Sequence, residues 1–218
     1  MNHLVIDLEM CKVPRYCRSK NYKYALETIQ IGAVLLDEDF KQIGTLTQYV
    51  HPDYGTIDYF IENLTGISSC NVKNAPRIQE ALMHLVDWLG AREYKIYAWS
   101  KSDYDQLRHE FRAKGINNSK LAAFMDPDRW IDYQDVFVKR YDFSRAIGLE
   151  EALNRAEIEA EGRFHDGLDD AINTGKLIEK LENDPNYQLN GYNVPQLTSE
   201  ALGYSLGSLF AGIKLECA

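Results

Sequence analysis

The sequence predicts an α/β fold in which a sheet is layered against helices. Two features of the chain support this prediction. Short runs of branched apolar residues come first, and segments with apolar residues at helical spacing then alternate with further strands. Strands followed by alternating helices and strands are typical of a layered sheet with helices packed against it. The 218 residues, 45% of them hydrophobic and 26% charged, suit one globular domain with some additional chain at an end.

Four strands are predicted, and the first matters most for function. Residues 4–10 contain a branched aliphatic run that is typical of a buried strand covered on both faces. A second strand follows at 28–36, and a short turn leads to a third at about 43–50. The fourth strand covers 95–99.

Helices are predicted from apolar spacing and from the glycine or proline residues at their ends. A short helical turn within 61–66 ends at Gly66. The longer predicted helices cover 76–89, about 104–113, a segment that opens at 148–153, and 166–181. Residues 130–138 fit a strand or a helix equally well, and the pattern weakens beyond 184.

Asp7 and Glu9 lie two residues apart in the first strand, so their side chains project from the same face. Two adjacent carboxylates in an apolar setting repel each other and resist desolvation, so they need a proton or a cation. A pair of divalent metal ions is the usual solution, and such pairs cleave phosphodiesters. The alternative is a solvated pair, because 33 acidic residues place several carboxylates at this spacing by chance.

Three further residues stand where they can join this pair. Asp103 follows the fourth strand and precedes a helix, the edge at which α/β proteins tend to bind ligands, although a helix N-cap is the alternative. His165 ends a loop before the last long helix and, with an ordinary pKa of about 6.5, suits proton abstraction, although a structural or solvated histidine is the alternative. Asp170 lies on that helix and can point back at the sheet, whereas Asp166 and Asp169 are expected in its first turn.

The charge distribution is uneven. A formal net charge of −9 argues against a generally basic surface for nucleic acid. Between Glu9 and Glu27, however, there is no acidic residue, and basic residues alternate with tyrosines: Lys12, Arg15, Tyr16, Arg18, Lys20, Tyr22, Lys23 and Tyr24. This basic segment is either a solvated loop or a guide that leads a phosphate backbone toward the metals.

Composition also limits the setting of the protein. No apolar run approaches the roughly 20 residues that span a bilayer, and no signal-peptide pattern begins the sequence, so we expect a cytoplasmic protein without membrane contact. The four cysteines show no zinc-finger spacing and no disulfide framework, so free thiols are expected.

The order and spacing of these residues resemble a known family. The residues at 7–9, at 99–103 and at 165–171 are similar to the three motifs of the DEDDh exonucleases, which belong to the DnaQ-like group. Residues 30–34 and 63–67 resemble the second strand and the substrate-contacting loop of that family. The segments at 148–149 and 161–163 are similar to the Eri-type and KapD-like branch. Glycine at 167 and serine at 100 replace residues common in relatives, and 184–218 has no counterpart.

The resemblance implies a fold and a reaction. The fold would be ribonuclease H-like, a mixed sheet of about five strands flanked by helices. Asp7, Glu9, Asp103 and Asp170 would hold two Mg²⁺ or Mn²⁺ ions, which prefer oxygen ligands, and His165 would act as general base. The reaction would be 3′–5′ hydrolysis of single-stranded ends, with RNA favoured over DNA and nucleoside 5′-monophosphates as products. The resemblance further implies substrate contacts at Leu8, Met10, Thr65 and Trp99.

The resemblance covers residues 2–182, so we predict an exonuclease domain at 1–183 and an extension of unknown role at 184–218. The tail suggests a protein partner or self-association. It also leaves open a second class of function, an interaction protein that keeps the fold but acts through its tail or surface without catalysis.

Overall fold

A computed structural model describes residues 1–18 and 22–191. Its sheet has five strands in the order β3-β2-β1-β4-β5, which confirms the predicted α/β sheet. β1 pairs antiparallel with β2, and β2 antiparallel with β3, whereas β4 is parallel to β1 and β5 is parallel to β4. The strands cover Asn2–Lys12, Leu26–Leu36, Gln42–Tyr49, Tyr94–Ala98 and Trp130–Asp132.

Eight α-helices cover the two faces of this sheet within the described residues. They are α1 Tyr59–Thr65, α2 Ser69–Val72, α3 Ile78–Leu89, α4 Ser102–Lys114, α5 Ser119–Phe124, α6 Tyr133–Arg140, α7 Leu149–Arg155 and α8 Gly167–Asn183. Short 3₁₀ helices cover Arg15–Cys17 and Pro127–Arg129. None of the helices in the described part of the chain is long and apolar enough to cross a membrane.

β1 is buried on both faces because its alternate side chains enter two different cores. Leu4 and Ile6 point into a core shared with α3, α4 and α5. Val5 points the other way, into a core shared with α6, α7 and α8. Asp7 and Glu9 have the parity of Val5, so they face the layer that contains α8. The central strand therefore presents both carboxylates to the last long helix.

The N-terminus of α8 rests directly on β2. A Cβ atom built at Gly32 would lie 2.0 Å from the backbone carbon and oxygen of Gly167. The Gly167 amide donates to the side-chain oxygen of Gln30 at 3.0 Å. This contact holds the first turn of α8 against the middle of the sheet.

A buried charge cluster joins α4 to β2. The Lys114 ammonium contacts carboxylates of Glu27 and Glu110, both fully buried, at 2.6 and 2.8 Å, and contacts Asp53 at 3.0 Å. Glu110 also accepts from the amide and hydroxyl of Thr28. We call this group the Lys114 cluster, and it fixes the edge of the sheet next to the basic segment.

The structure differs from the predictions mainly in short elements. The ambiguous segment at 130–138 contains both alternatives, because the three-residue β5 runs directly into α6. α4 begins at Ser102, earlier than predicted, and α2 and α5 were not predicted. Helices of four to six residues contain at most two turns, too few for an apolar period to emerge.

The first residues of the predicted C-terminal extension pack onto the domain. The hydroxyl of Tyr187 donates to the carbonyl of Ala156 at 2.8 Å, and the Asn190 amide donates to the carbonyl of Arg155 at 2.9 Å. Residues 192–218, to which the predicted tail function is assigned, and Lys20 of the basic segment lie outside the described residues. The domain boundary at 183 remains a prediction.

The basic segment leaves the end of β1, and one of its tyrosines is part of the interior. Tyr22 is fully buried and stacks on Tyr54 with ring centres 4.9 Å apart. Tyr24 stacks on His109. Cys11, Cys17 and Cys70 are free thiols, as expected.

Candidate active site

The carboxylates of Asp7 and Glu9 occupy the floor of the site. Glu9 is 2% exposed, and Asp7 keeps partial access to solvent. The pairing of β1 with β2 shifts immediately after Glu9, where β2 has one extra residue. Bulges of this kind are common beside active sites because they redirect side chains. The flanking Leu8 and Met10 side chains are buried in the opposite core.

Asp103 joins the floor from α4. It lies in the first turn of that helix, and its Oδ1 accepts the Leu8 amide at 3.1 Å. The N-cap of α4 is Lys101, so the cap interpretation of Asp103 is wrong. Asp105, the neighbouring carboxylate, pairs with Arg108 instead. A hydrogen bond to the backbone of β1 thus fixes the third acidic residue beside the first two.

The loop before α8 brings His165 and Asp170 to the same place. The His165 backbone has a φ of 66°, a left-handed conformation that is uncommon for residues other than glycine. Its amide donates to Oδ2 of Asp170 at 2.8 Å, which fixes the histidine over its own helix. Asp166 is the N-cap of α8 and accepts the amides of Leu168 and Asp169, so it lies one position before the predicted first turn.

The five residues converge. One ligand atom from each of Glu9, His165 and Asp170 lies within 4.8 Å of the other two. Glu9 Oε2 and Asp170 Oδ1 are buried and have no hydrogen-bond partner. The charges of Asp103, Asp170 and Glu9 all act on Asp7. Four carboxylates from three distant segments therefore lie close enough to act on one another, and the imidazole lies beside Glu9 and Asp170.

Burial and mutual repulsion disfavour the ionised carboxylates. Desolvation raises the pKa of Asp7 and of Glu9 well above the usual range, and neighbouring carboxylates raise both further. Burial also raises the pKa of Asp103 and of Asp170 to about 7, although hydrogen bonds from the Leu8 and His165 amides oppose the shifts. Glu9 and Asp170 each have a buried carboxylate oxygen without a hydrogen-bond partner. Carboxylate oxygens are the ligands that hard divalent cations prefer, so these residues fit a metal site.

The pKa of the His165 imidazole is shifted in the opposite direction, toward the neutral form. Burial, followed by the positive charge of Arg163, lowers its pKa below the ordinary value. The ring is therefore neutral at neutral pH, the form that can accept a proton.

Arg163 is a site residue that the sequence did not reveal. Its guanidinium donates to the carbonyl of Asn63 and, at 3.0 Å, to that of Leu64, near the end of α1. Its amide donates to Asp169 at 2.8 Å. A Cβ atom at Gly66, which has a φ of 74°, would lie 2.5 Å from the guanidinium. Arg163 therefore joins the histidine loop to the turn that follows α1.

Two residues that were predicted to contact substrate use their polar groups for hydrogen bonds within the protein. Thr65 is buried at the end of α1, where its hydroxyl donates to the Ile61 carbonyl and accepts the Ile67 amide. Trp99 is 8% exposed and its indole N–H donates to the Ile147 carbonyl at 3.2 Å. Both residues therefore shape the surroundings of the site from within the protein.

Comparison with known proteins is consistent with this geometry. The exonuclease family model RNase_T matches residues 4–178, most of the chain. The human protein named 3′-5′ exoribonuclease 1 is 25% identical over 169 residues, 74% of this chain and 48% of that protein. The Drosophila melanogaster 3′-5′ exonuclease Snipper is 28% identical over 179 residues, 72% of this chain and 62% of that protein. The chain spans about half the length of the exoribonuclease 1 proteins that it matches.

Solved structures show the same fold. The nuclease domain of 3′hExo, described as a DEDDh family member bound to rAMP, aligns with a TM-score of 0.70 at 21% identity, covering 87% of this chain and 96% of that chain. A 3′-exonuclease solved in 3′-end recognition of a histone mRNA stem-loop aligns with a TM-score of 0.71 at 20% identity, covering 87% and 84%. The ribonuclease H-like fold expected from the motifs is thereby confirmed. The chain therefore belongs to the RNase_T exonuclease family.

Proposed function

We propose that this chain is a metal-dependent 3′–5′ exonuclease that shortens single-stranded nucleic acid ends and releases nucleoside 5′-monophosphates. The convergence of Glu9, His165 and Asp170 to within 4.8 Å, with Asp7 and Asp103 beside them, is the observation that supports this proposal most directly. Phosphodiester hydrolysis needs concentrated positive charge and a base, and this set of residues can supply both once cations are bound.

The family uses divalent metal ions, and this site suits them. In our proposal Asp7, Glu9, Asp103 and Asp170 hold two ions, Mg²⁺ or Mn²⁺. Bound divalent ions lower the pKa of water and stabilise negative charge on the scissile phosphate and the leaving oxygen.

His165 is the proposed general base. Its neutral ring accepts a proton from the attacking water, whose oxygen forms a bond to the phosphorus. The bond between phosphorus and the 3′ oxygen breaks, and that oxygen takes up a proton to become the new 3′-hydroxyl group. The hydrogen bond from the His165 amide to Asp170 holds the backbone of the proposed base beside this carboxylate.

The proposed substrate is a single strand, with RNA favoured over DNA because several curated relatives are named exoribonucleases. We place the terminal sugar against the backbone at Leu8 and Met10. Thr65 and Trp99 then act through the shape of the surrounding walls, since their polar atoms bond within the protein. A cytoplasmic location is part of the same proposal.

Hydrolysis of 5′-labelled RNA and DNA oligonucleotides of one sequence, with and without Mg²⁺, tests this proposal. We expect shortening by one nucleotide at a time and mononucleotide release, both abolished by EDTA. Asp7→Asn and His165→Ala should each lower kcat by about 100-fold or more. Asp87→Asn, which removes an exposed carboxylate paired with Lys120, is the matched control. Release that is unaffected by Asp7→Asn would overturn the proposal and favour the interaction-protein alternative.

A further inference from the structure

Exposed aromatic rings are concentrated in two segments beside the end of β1. Tyr16 is 87% exposed, Tyr59 82%, Phe60 43% and Tyr54 36%. In the part of the chain that the structure describes, only two other large apolar side chains are as exposed. Aromatic rings have much apolar surface to bury, so a group of them left in solvent indicates a contact surface.

Backbone and side-chain contacts hold the two segments together. The Thr56 amide donates to the Lys12 carbonyl at 3.0 Å. The Lys12 ammonium lies 4.6 Å from the centre of the Phe60 ring, a cation–π distance. Below them, Cys11 and Ile61 share a buried apolar cluster. The start of α1 is therefore fixed against the end of β1, and the rings stand on an ordered base.

This surface is basic in an acidic protein. Lys12, Arg15 and Arg18 come from the segment without acidic residues, and none of the three forms an ion pair among the residues described. The nearby acidic residues have other partners or lie on α1. Glu27 pairs with Lys114 and Asp53 with Arg77 and Lys114, whereas Asp58 caps α1 and Glu62 lies in its first turn. Unpaired cations interleaved with exposed rings are typical of surfaces that track a single-stranded phosphate backbone and stack its bases.

Both β1 and α1 lead from this surface toward the candidate active site. Lys12 lies three residues beyond Glu9 on one strand, roughly 10 Å away. That distance places Lys12 a few nucleotides upstream of a 3′ end bound beside Glu9. α1 spans the same interval, since its first residues carry the rings and its last turn is held by Arg163. The rings are therefore placed upstream of a 3′ end that occupies the site.

We propose that Lys12, Arg15, Tyr16, Tyr59 and Phe60 form an upstream platform for single-stranded nucleic acid. The platform stacks the bases of about the third and fourth nucleotides from the 3′ end, and its cations contact the adjoining phosphates. Because every base has a π face, the platform responds to strand length and single-strandedness but not to sequence. This inference rests on the proposed exonuclease function, for which it supplies an upstream binding site.

A series of oligonucleotides with a single abasic residue tests the platform. The abasic position moves from the second to the sixth nucleotide from the 3′ end, and KM is measured for the first cleavage. For the unmodified protein we expect KM to rise about fivefold when the third or fourth base is missing. In Tyr59→Ser/Phe60→Ser, KM for the intact oligonucleotide should rise by a similar factor, and the abasic positions should no longer matter. kcat should change little, because the reacting atoms are remote from the rings.

Two controls separate this inference from the proposed function. A nucleotide 5′-phosphate ester of p-nitrophenol does not reach the platform, so the double variant should hydrolyse it as the unmodified protein does. Ile43→Ser removes an exposed apolar side chain from the distant strand β3 and should leave every KM unchanged. If neither protein hydrolyses the ester or the oligonucleotides, the proposed function fails. The other informative outcome is that both proteins hydrolyse the ester and the KM of the double variant still depends on the abasic position as in the unmodified protein. The platform proposal would then be wrong, and the rings would serve another partner.

Discussion

At the scale of single residues, Arg163 illustrates how the arrangement of the candidate site depends on a side chain outside the acidic cluster. Its planar guanidinium bridges two carbonyl groups at the end of α1, while its backbone belongs to the histidine loop. It also places a positive charge near Glu9 and His165. The end of α1 and the histidine loop are thereby tied together.

We expect Arg163→Ala to lower kcat/KM for the nucleotide ester about tenfold or more, because charged hydrogen bonds to both carbonyls are lost. Arg163→Lys should recover only part of the loss, since both bonds come from Nη2 and the lysine nitrogen does not reach as far from the backbone. Arg145→Ala removes an exposed arginine that bonds Glu151 and the Ala146 carbonyl, and it should have no effect. Steady-state kinetics gives kcat/KM of the nucleotide ester for the three variants and the unmodified protein. An equal kcat/KM for Arg163→Ala and the unmodified protein would contradict the expectation.

Gly32 governs the contact between β2 and α8. A methyl group there would meet the backbone of Gly167 and Leu168 at 2.0 to 2.3 Å, and backbone cannot move aside as a side chain can. Gly32→Ala should therefore reduce the free energy of unfolding by about 2 kcal/mol or more and displace Asp170 and His165. Urea denaturation measures the first effect. Gly148→Ala, where a Cβ atom meets nothing within 4 Å, is the control; equal losses in both variants would argue against the close contact.

At the scale of secondary-structure elements, the Lys114 cluster holds α4 and the basic segment to the sheet. Burial alone would lower the pKa of Lys114, but the charges of Glu110 and Glu27 outweigh it and the pKa is raised. The contribution of this raised pKa to stability is complete below the ordinary lysine pKa and is lost only as the pH rises through the folded-state value. Lys114 therefore stays charged across the neutral range.

Lys114→Met should remove about 3 to 5 kcal/mol of stability, because Glu27 and Glu110 would remain buried without a counter-ion. Lys120→Met breaks an exposed pair with Asp87 and should cost about 1 kcal/mol or less. Chemical denaturation at pH 7 compares the two, and a similar small loss in both would show that water reaches the cluster. Adding Glu27→Gln to Lys114→Met should recover part of the loss, since one unpaired charge is then removed.

The elements that the sequence predicted best are those whose pattern is local. β1, β2, α3 and α8 bury long periodic runs, and their type and position agree with the prediction. β5 has three residues, and its strand conformation depends on pairing with β4, which no local pattern contains.

The same distinction separates the parts of the site. Asp7 and Glu9 could be chosen from their spacing within an apolar strand, and Asp103, His165 and Asp170 from their places near the predicted starts of two helices. The residues that hold these five side chains in place could not be predicted from the sequence. Arg163 reaches carbonyls about 100 residues away, and Gln30 accepts an amide 137 residues away, so only the folded chain shows their partners.

At the scale of the whole molecule, the acidic site makes folding, proton binding and metal binding compete. The pKa values of Asp103 and Asp170 rise to about 7 on folding, against about 4 in the unfolded chain. A raised pKa means that each carboxyl group contributes its full stability below about pH 4 and loses it as the pH rises to about 7. Without metal, the four carboxylates therefore oppose folding most strongly at neutral and alkaline pH.

We expect Mg²⁺ to raise the melting temperature, and to raise it more at pH 7.5 than at pH 5.5. At pH 7.5 the carboxylates are available to the cation, and a concentration of 100 times the Kd adds about 2.7 kcal/mol, or about 5 to 10 °C for a chain of this size. At pH 5.5 protons occupy the same oxygens, so the shift should fall to less than half. Thermal denaturation with Mg²⁺ or EDTA at the two pH values measures this difference. Asp7→Asn should abolish the Mg²⁺ shift while Asp87→Asn retains it, whereas a shift that is equal at both pH values would show that the cation binds elsewhere.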